Sequence, residues 1–337
     1  MNRRYAIKAA LSAIIVYQLR PYPLFSQANK PSENKMFYDF DKRINNSIVG
    51  WDFGLGMHNF QYHAFDTINR HLYTLQHFTR DSKGGKISRF NMDISGGELR
   101  ALDAQHYDTD IGHQMLSVEN SDHGVKLWAA KGLQESLSVI RFNYTPSGVA
   151  SNIEEYTMLD PNEFGSFYIT GNLSFDQKWV IVRGKSKESS KFNGMNCIAI
   201  FDLEKLVKHG PGNVWHLAKY IWPYDYYQNN PKNTGINPQS IFSDGKYIYL
   251  LFGPSDITKP NLLRLYSFEG QLLHQSSALK FGREEALKLS DGISNELEGA
   301  QIVRLSPQSK PVLTIGYVRG GPKYYKGIYI VEDISNL

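Results

Sequence analysis

The feature that most constrains this chain is a β-hairpin pattern that returns five times. Phe60-Gln61-Tyr62-His63-Ala64-Phe65-Asp66 runs into a polar turn and then His71-Leu72-Tyr73-Thr74-Leu75-Gln76. Gln114 to Asn120 leads to Val125-Lys126-Leu127-Trp128, and Leu173-Ser174-Phe175-Asp176 leads to Trp179-Val180-Ile181-Val182. Gln239 to Asp244 leads to Tyr247 to Leu251, and Gln301 to Pro307 leads to Val312 to Gly316. Measured between Asp66, Asn120, Asp176, Asp244 and Pro307, the spacings are 54, 56, 68 and 63 residues. Each copy has hairpin composition: an apolar run, an Asp/Asn/Ser/Gly turn, then a run rich in β-branched and aromatic residues.

A third strand follows every hairpin, at Ile87–Phe90, Leu137–Phe142, Cys197–Phe201, Leu262–Tyr266 and Gly327–Val331. Alternation in several of them suits an antiparallel strand buried on one face. A fourth, outer strand is expected between repeats, at Glu98–Leu102 and Ile153–Thr157. Five four-stranded antiparallel units at this period predict an all-β, five-bladed β-propeller. The fifth unit ends without an outer strand. Lys35–Phe40 is the expected donor, since an open ring leaves unpaired edges. Two β-sandwich domains would explain the strand content but not the period. Leu203–Lys208 is the one short helical pattern.

Ahead of the repeats, Asn2 to Lys8 carries Arg3, Arg4 and Lys8, an apolar stretch follows from Ala9 to Val16, and Ser26-Gln27-Ala28 offers small residues. That order reads as a signal peptide over residues 1–28, of the Sec or twin-arginine type, with residues 29–337 forming a single propeller domain. The protein is then exported, to the medium, the periplasm or the cell surface. Residues 1–28 hold four basic residues and no acid, so the remaining 33 basic and 33 acidic residues balance. A net charge of +4 is therefore no sign of nucleic-acid binding. No apolar run is long enough for an integral membrane segment. The lone Cys197, inside an apolar run, reads as a buried inert thiol.

Signatures of covalent chemistry are missing. Gly54-Leu55-Gly56 lacks the third glycine of a dinucleotide loop, and Arg183-Gly184-Lys185-Ser186 lacks the upstream glycine of a phosphate loop. Asp108 and Asp110, flanked by His106 and His113, are weak candidates for calcium, and no other cofactor is expected. If the protein is an enzyme, Glu119 and Glu298 are the acids to consider for a glycosidase, which needs two convergent carboxyls. Gln61, His113, Gln114, Gln239, Glu298 and Gln301 recur near one end of the inner strands and are expected to ring a channel mouth. Amides and imidazoles both donate and accept, which suits hydroxyl or phosphate recognition; the same residues could equally satisfy backbone groups between blades. Trp222, Tyr224, Tyr226 and Tyr227 supply aromatic faces in the longest insertion, suited to sugar rings, or complete the third blade's outer strand.

Several aligned segments resemble one propeller family. These are Gln61 with Ala64-Phe65-Asp66 and Leu72 to Gln76, Gly112-His113-Gln114 with Leu127-Trp128, and Glu296-Leu297-Glu298-Gly299-Ala300-Gln301-Ile302. Ser174-Phe175-Asp176 through Ile198 to Leu203 is similar to helveticin J. The family takes in helveticin J-like bacteriocins, teichoic-acid biosynthesis protein C-like proteins and receptor-binding propellers of short-tailed staphylococcal phages. The resemblance covers roughly residues 36–333. It implies an exported or surface-acting propeller that binds a cell-wall or envelope glycan of the teichoic-acid kind, with bacteriocin-like antibacterial activity in its helveticin-like members; a monomer is expected. A glycoside hydrolase and a protein-binding scaffold are the alternatives.

Overall fold

The computed structural model describes residues 48–53, 59–77, 84–92, 98–99, 101–107, 111–121, 124–132, 136–165, 169–224, 237–253, 261–279, 295–319 and 325–331. Over them the strands make five sheets. The first blade is Asn59–Asp66, His71–His77, Gly85–Asn91 and Asp103–Tyr107. The second is Ile111–Ser121, Gly124–Lys131, Ser138–Asn143 and Ser151–Thr157, with Gly212–Asn213 added in parallel outside. The third is Thr170–Leu173, Trp179–Lys185, Asn196–Asp202 and Tyr220–Tyr224. The fourth is Asn237–Ser243, Ile248–Gly253, Asn261–Tyr266 and Leu272–Leu279. The fifth is Asn295–Arg304, Pro311–Arg319, Tyr325–Val331 and Ile48–Phe53. The first strand of each blade contacts the first strands of other blades, so these five line the axis of a five-bladed β-propeller.

The expected turn anchors act through their side chains. Asp66 Oδ1 accepts from the backbone N–H groups of Ile68 and Asn69, and Asp244 Oδ1 from those of Lys246 and Tyr247. Such local bonds offer the backbone a turn in place of a ladder, which is why the repeat carries Asp there. The helix Leu203–His209 follows the third blade's third strand, with Asp202 capping the Lys205 N–H.

Two expectations about edges are corrected. The fifth blade is completed by Ile48–Phe53, which pairs antiparallel with Tyr325–Val331 from Ile48↔Ile330 to Asp52↔Gly327. Lys35–Phe40 lies outside the described residues. In the first blade the outer strand is Asp103–Tyr107, and Glu98–Leu99 instead pairs in parallel with Asp52 and Phe53. The later segment wins because it has partners for its side chains: Asp103 Oδ1 accepts from Arg89 Nε at 3.1 Å, and the Tyr107 hydroxyl donates to the Gln76 carbonyl at 2.8 Å.

Burial corrects a third expectation. A third strand such as Asn196–Asp202 is buried on both faces, not one. Cys197, Ala199 and Phe201 pack into the seam with the second blade, beside Trp128, Val139 and Tyr156. Ile198 and Ile200 pack into the seam with the fourth, beside Ile241, Ile248 and Leu250. The period-two alternation of a strand therefore sorts one apolar run between two neighbours. The other seams are built alike: Tyr62, Leu75 and Ile87 against Leu116, Leu127 and Phe142; Tyr249, Leu251 and Leu265 against Leu313, Ile315 and Tyr317; Phe60, Leu72 and Phe90 against Val303, Val312 and Ile328. Cys197 is a buried thiol whose pKa burial pushes up to about 12, so it is inert at ordinary pH. Among the described residues no helix is long and apolar enough to cross a membrane.

Removing the chain through Phe53 would strip the last outer strand and bare the edge of Tyr325–Val331. We expect the truncated protein to melt several degrees lower and to form concentration-dependent oligomers in light scattering. A monomer with unchanged melting would show that Ile48–Phe53 does not close the ring.

Candidate functional site

The inner strands meet at a hydrogen-bonded junction to which every blade contributes. The Tyr62 hydroxyl of the first blade lies 2.8 Å from Ser240 Oγ of the fourth. Asn172 Nδ2 of the third donates both to that hydroxyl and to the Ala300 carbonyl of the fifth, each at 3.1 Å. Ser117 Oγ of the second donates to Asn172 Oδ1, and the Ala300 N–H donates to Ser240 Oγ. All five residues are buried, and burial lifts the Tyr62 phenol to about 12. Inner-strand groups from five blades can converge only on the axis. The junction therefore plugs the channel and separates an end where the inner strands start from an end where they finish.

At the starting end the structure explains the recurring amides. Gln61, Gln239 and Glu298 each sit where the inner-strand register slips, between Phe60 and Tyr62, Pro238 and Ser240, and Leu297 and Ala300. Gln114 occupies the corresponding irregularity of the second blade and has φ +59°. A bulge re-aims one side chain, and here it turns amides and a carboxyl inward immediately before the axial plug. Among the described residues Gln114, Gln239 and Glu298 interlock. Arg183 donates to Gln114 Oε1, Gln114 Nε2 donates to Gln239 Oε1 at 2.6 Å, and Gln239 Nε2 donates to Glu296 Oε1 and the Gly253 carbonyl. Because guanidinium only donates, it sets the orientation of both amides. Gln61 is half-buried and donates to the Phe60 carbonyl.

Glu298 is 5% exposed, and one of its oxygens has no partner among the described residues. Burial holds its pKa well above the usual carboxylate range; the nearby Glu296 charge adds to this and a bond from Gln114 partly offsets it. Glu119 lies at the other end. It is buried, accepts from Trp128 Nε1 at 2.6 Å, and forms a two-pronged pair with Arg141 at 2.7 and 2.8 Å. Glu119 is two residues beyond Ser117 and Glu298 two before Ala300, on opposite sides of the plug. The two carboxyls meet different partners, Glu119 with Trp128 and Arg141 and Glu298 with Gln114.

The finishing end carries an open cavity of about 460 Å3 lined by all five blades. Phe65 and Ile68 come from the first, Ser117 and Asn120 from the second, Asn172, Phe175 and Gln177 from the third, Phe242 and Ser243 from the fourth, and Gln301 and Arg304 from the fifth. Arg304 is exposed and its guanidinium stands over the Phe175 ring at 5.9 Å. Among the described residues Gln301 is the one member of the expected amide and imidazole set on this cavity, and its Nε2 also donates across the axis to the Leu116 carbonyl. Ile68, 69% exposed at a hairpin tip, adds an apolar edge. Chemically this is a concave surface of amides, hydroxyls, the Phe175 ring, the Asp176 carboxylate and the Arg304 guanidinium, on a floor fixed by the plug.

Other expected site residues fall elsewhere. Trp222 and Tyr224 belong to the third blade's outer strand and are buried in its seam with the fourth; Trp222 Nε1 donates to the Phe268 carbonyl at 2.9 Å. They are packing residues, which corrects their reading as exposed aromatic faces. Tyr226, Tyr227, Asp108 and Asp110 lie outside the described residues, as does the His113 side chain. His106 is exposed on the first blade's outer strand, away from the axis. The junction residues Tyr62, Ser117, Asn172 and Ser240, and the mouth residues Asn120, Phe175, Gln177 and Arg304, were not singled out from sequence. Most of the latter sit in or beside hairpin turns, where their types read as ordinary turn residues.

Two variants test this geometry. Tyr62→Phe leaves Asn172 and Ser240 without their shared partner and should cost about 1–3 kcal/mol in urea unfolding; no loss would mean the junction is not structural. Glu298 has a raised pKa in the folded state, so its stabilising contribution is complete below the free carboxylate value near 4.5 and is lost as pH rises toward the folded value. Glu298→Gln should therefore match the parent in melting temperature at pH 4 and exceed it at pH 8.

A family model described as the phage five-bladed β-propeller receptor-binding platform domain matches residues 59–330. Among solved structures, the tail fiber of Staphylococcus aureus phage P68 is similar over 89% of this chain and 55% of its own, at 16% identity and a TM-score of 0.62. The exo-β-1,3-galactanase 1,3Gal43A from Clostridium thermocellum is similar over 86% of this chain and 64% of its own, at 11% identity and a TM-score of 0.50. Both likenesses concern the fold, and this chain spans little more than half the length of the tail fiber. No curated protein sequence matches significantly.

Proposed function

We propose that this chain, which belongs to the family of phage five-bladed β-propeller receptor-binding platform domains, binds a cell-surface glycan in the mouth where its inner strands finish. One observation carries the reading: a single open cavity draws on all five blades and combines amides, hydroxyls and an aromatic ring over the buried junction. Amides and hydroxyls match sugar hydroxyls as donors and acceptors, and the half-buried Phe175 ring offers an apolar surface. Binding of this kind needs no covalent step. The protein acts outside a cell or at a particle surface, where such a glycan is met.

The ligand we favour is an anionic glycopolymer of the teichoic-acid kind, because Arg304 presents an exposed cation at the cavity, while Asp176, a carboxylate on the same wall, is paired with Lys178 at 3.6 Å. Co-sedimentation with purified bacterial walls, before and after chemical removal of their anionic polymer, tests this directly. We expect binding that falls severalfold when the polymer is removed and equally when Arg304→Ala is used. Undiminished binding after removal would point to another wall component. No binding to any wall would turn the search to protein partners. Growth inhibition of a bound strain would be the additional sign of a bacteriocin-like activity.

A further inference from the structure

Beside the axial mouth lies a second open groove of about 400 Å3, on the same face between the second and third blades. Its outer wall is the helix Leu203–His209, which lends Glu204, Val207 and Lys208. These are three and four residues apart and so share one helix face. Asn120 and Gln177 line both the groove and the mouth. They form the ridge between the two, and the ridge is held firmly. Gln177 takes a left-handed backbone at φ +54°, its Oε1 accepts from the Asn120 N–H at 3.0 Å, and its Nε2 donates to the Val118 carbonyl. Asn120 Oδ1 is buried there without a partner among the described residues. It is an acceptor left over at the point where the two cavities meet.

We propose that mouth and groove are one trough that holds a glycan chain along its length, with successive units on either side of the Asn120–Gln177 ridge. This rests on the reading of the mouth as the glycan site. Each cavity alone is at the small end of the range for small-molecule sites; joined, they make an elongated cleft that is open along its course. A cation stands at each end, Arg304 over the axis and Lys208 on the helix; of the carboxylates between them, Glu119 is paired with Arg141 and Asp176 with Lys178, and Glu204 is exposed on the helix. An interior stretch of polymer can engage both, whereas a single terminal unit reaches one.

The test is calorimetry of the full chain with fragments of purified wall teichoic acid sorted by length, from one repeat unit upward, with affinity expressed per repeat to remove the statistical gain of longer chains. Affinity should rise by about tenfold or more with length and then level off once the trough is filled. Lys208→Trp, at an exposed helix position, fills the groove and should abolish that rise, with an unchanged melting temperature as the folding control. A single repeat that binds as tightly as long fragments, or a rise that survives Lys208→Trp, overturns the trough while leaving the mouth as the glycan site. No binding at any length overturns the glycan reading itself.

Discussion

The hydrogen-bonded junction of Tyr62, Ser117, Asn172, Ser240 and Ala300 is the constraint around which this propeller is arranged. A ring of five sheets brings five inner strands together with their polar backbone close to one line. Those groups are out of reach of bulk water and must find partners. Here one phenol, one amide and two hydroxyls satisfy each other and the Ala300 peptide. The fit is tight: Gly299, at φ +79°, approaches the Tyr62 ring so closely that a Cβ there would lie 2.7 Å from it. The bulges on neighbouring strands follow from the same need, since they supply the slack that turns the amides inward above the junction.

Outward from the axis, the blades are joined by apolar seams, and each strand face belongs to a different seam. His63 shows how completely these exclude water. It is buried beside Phe60, Tyr62 and Phe65, bonds Thr314 of the fifth blade at 2.9 Å, and has its imidazole held down to about 3 by burial. Since Thr314 Oγ1 donates to the Gln301 carbonyl, His63 Nε2 carries the hydrogen between them. The mouth inherits this rigidity, because the strands that lead into it are fixed in two seams and, at the axis, by the junction.

Much of this was legible in the sequence. The hairpins could be found because Asp66, Asp176 and Asp244 perform local turn chemistry that composition reveals. The recurring glutamines could be found too, but not their role: a bulge is defined by register against a partner strand, and Gln61 owes its position to Gln76 and Leu75 rather than to its neighbours. Strand pairing across the whole chain was equally hidden, so Lys35–Phe40 and Ile48–Phe53 read alike until the edge of Tyr325–Val331 was in view. Trp222 shows the same limit, since a tryptophan among tyrosines and polar residues has one composition whether it meets a sugar or the Phe268 carbonyl. Asn120, Gln177 and Arg304 escaped notice because turns are expected to be polar, and only the ring brings five such turns to one mouth.

The closing strand also dictates the order of events in time. Val49 pairs with Tyr329, 280 residues further on. A chain made from its N-terminus must therefore carry the edge of Ile48–Phe53 that meets Tyr325–Val331 unpaired through the synthesis of all five repeats. Contacts this distant in sequence form slowly, and sheet edges left waiting invite pairing between molecules. Ring closure is thus the late step at which a correctly folded molecule is separated from an entangled one, and a mutation confined to Ile48–Phe53 would reduce the yield of protein by a larger factor than it would lower the stability of the molecules that succeed.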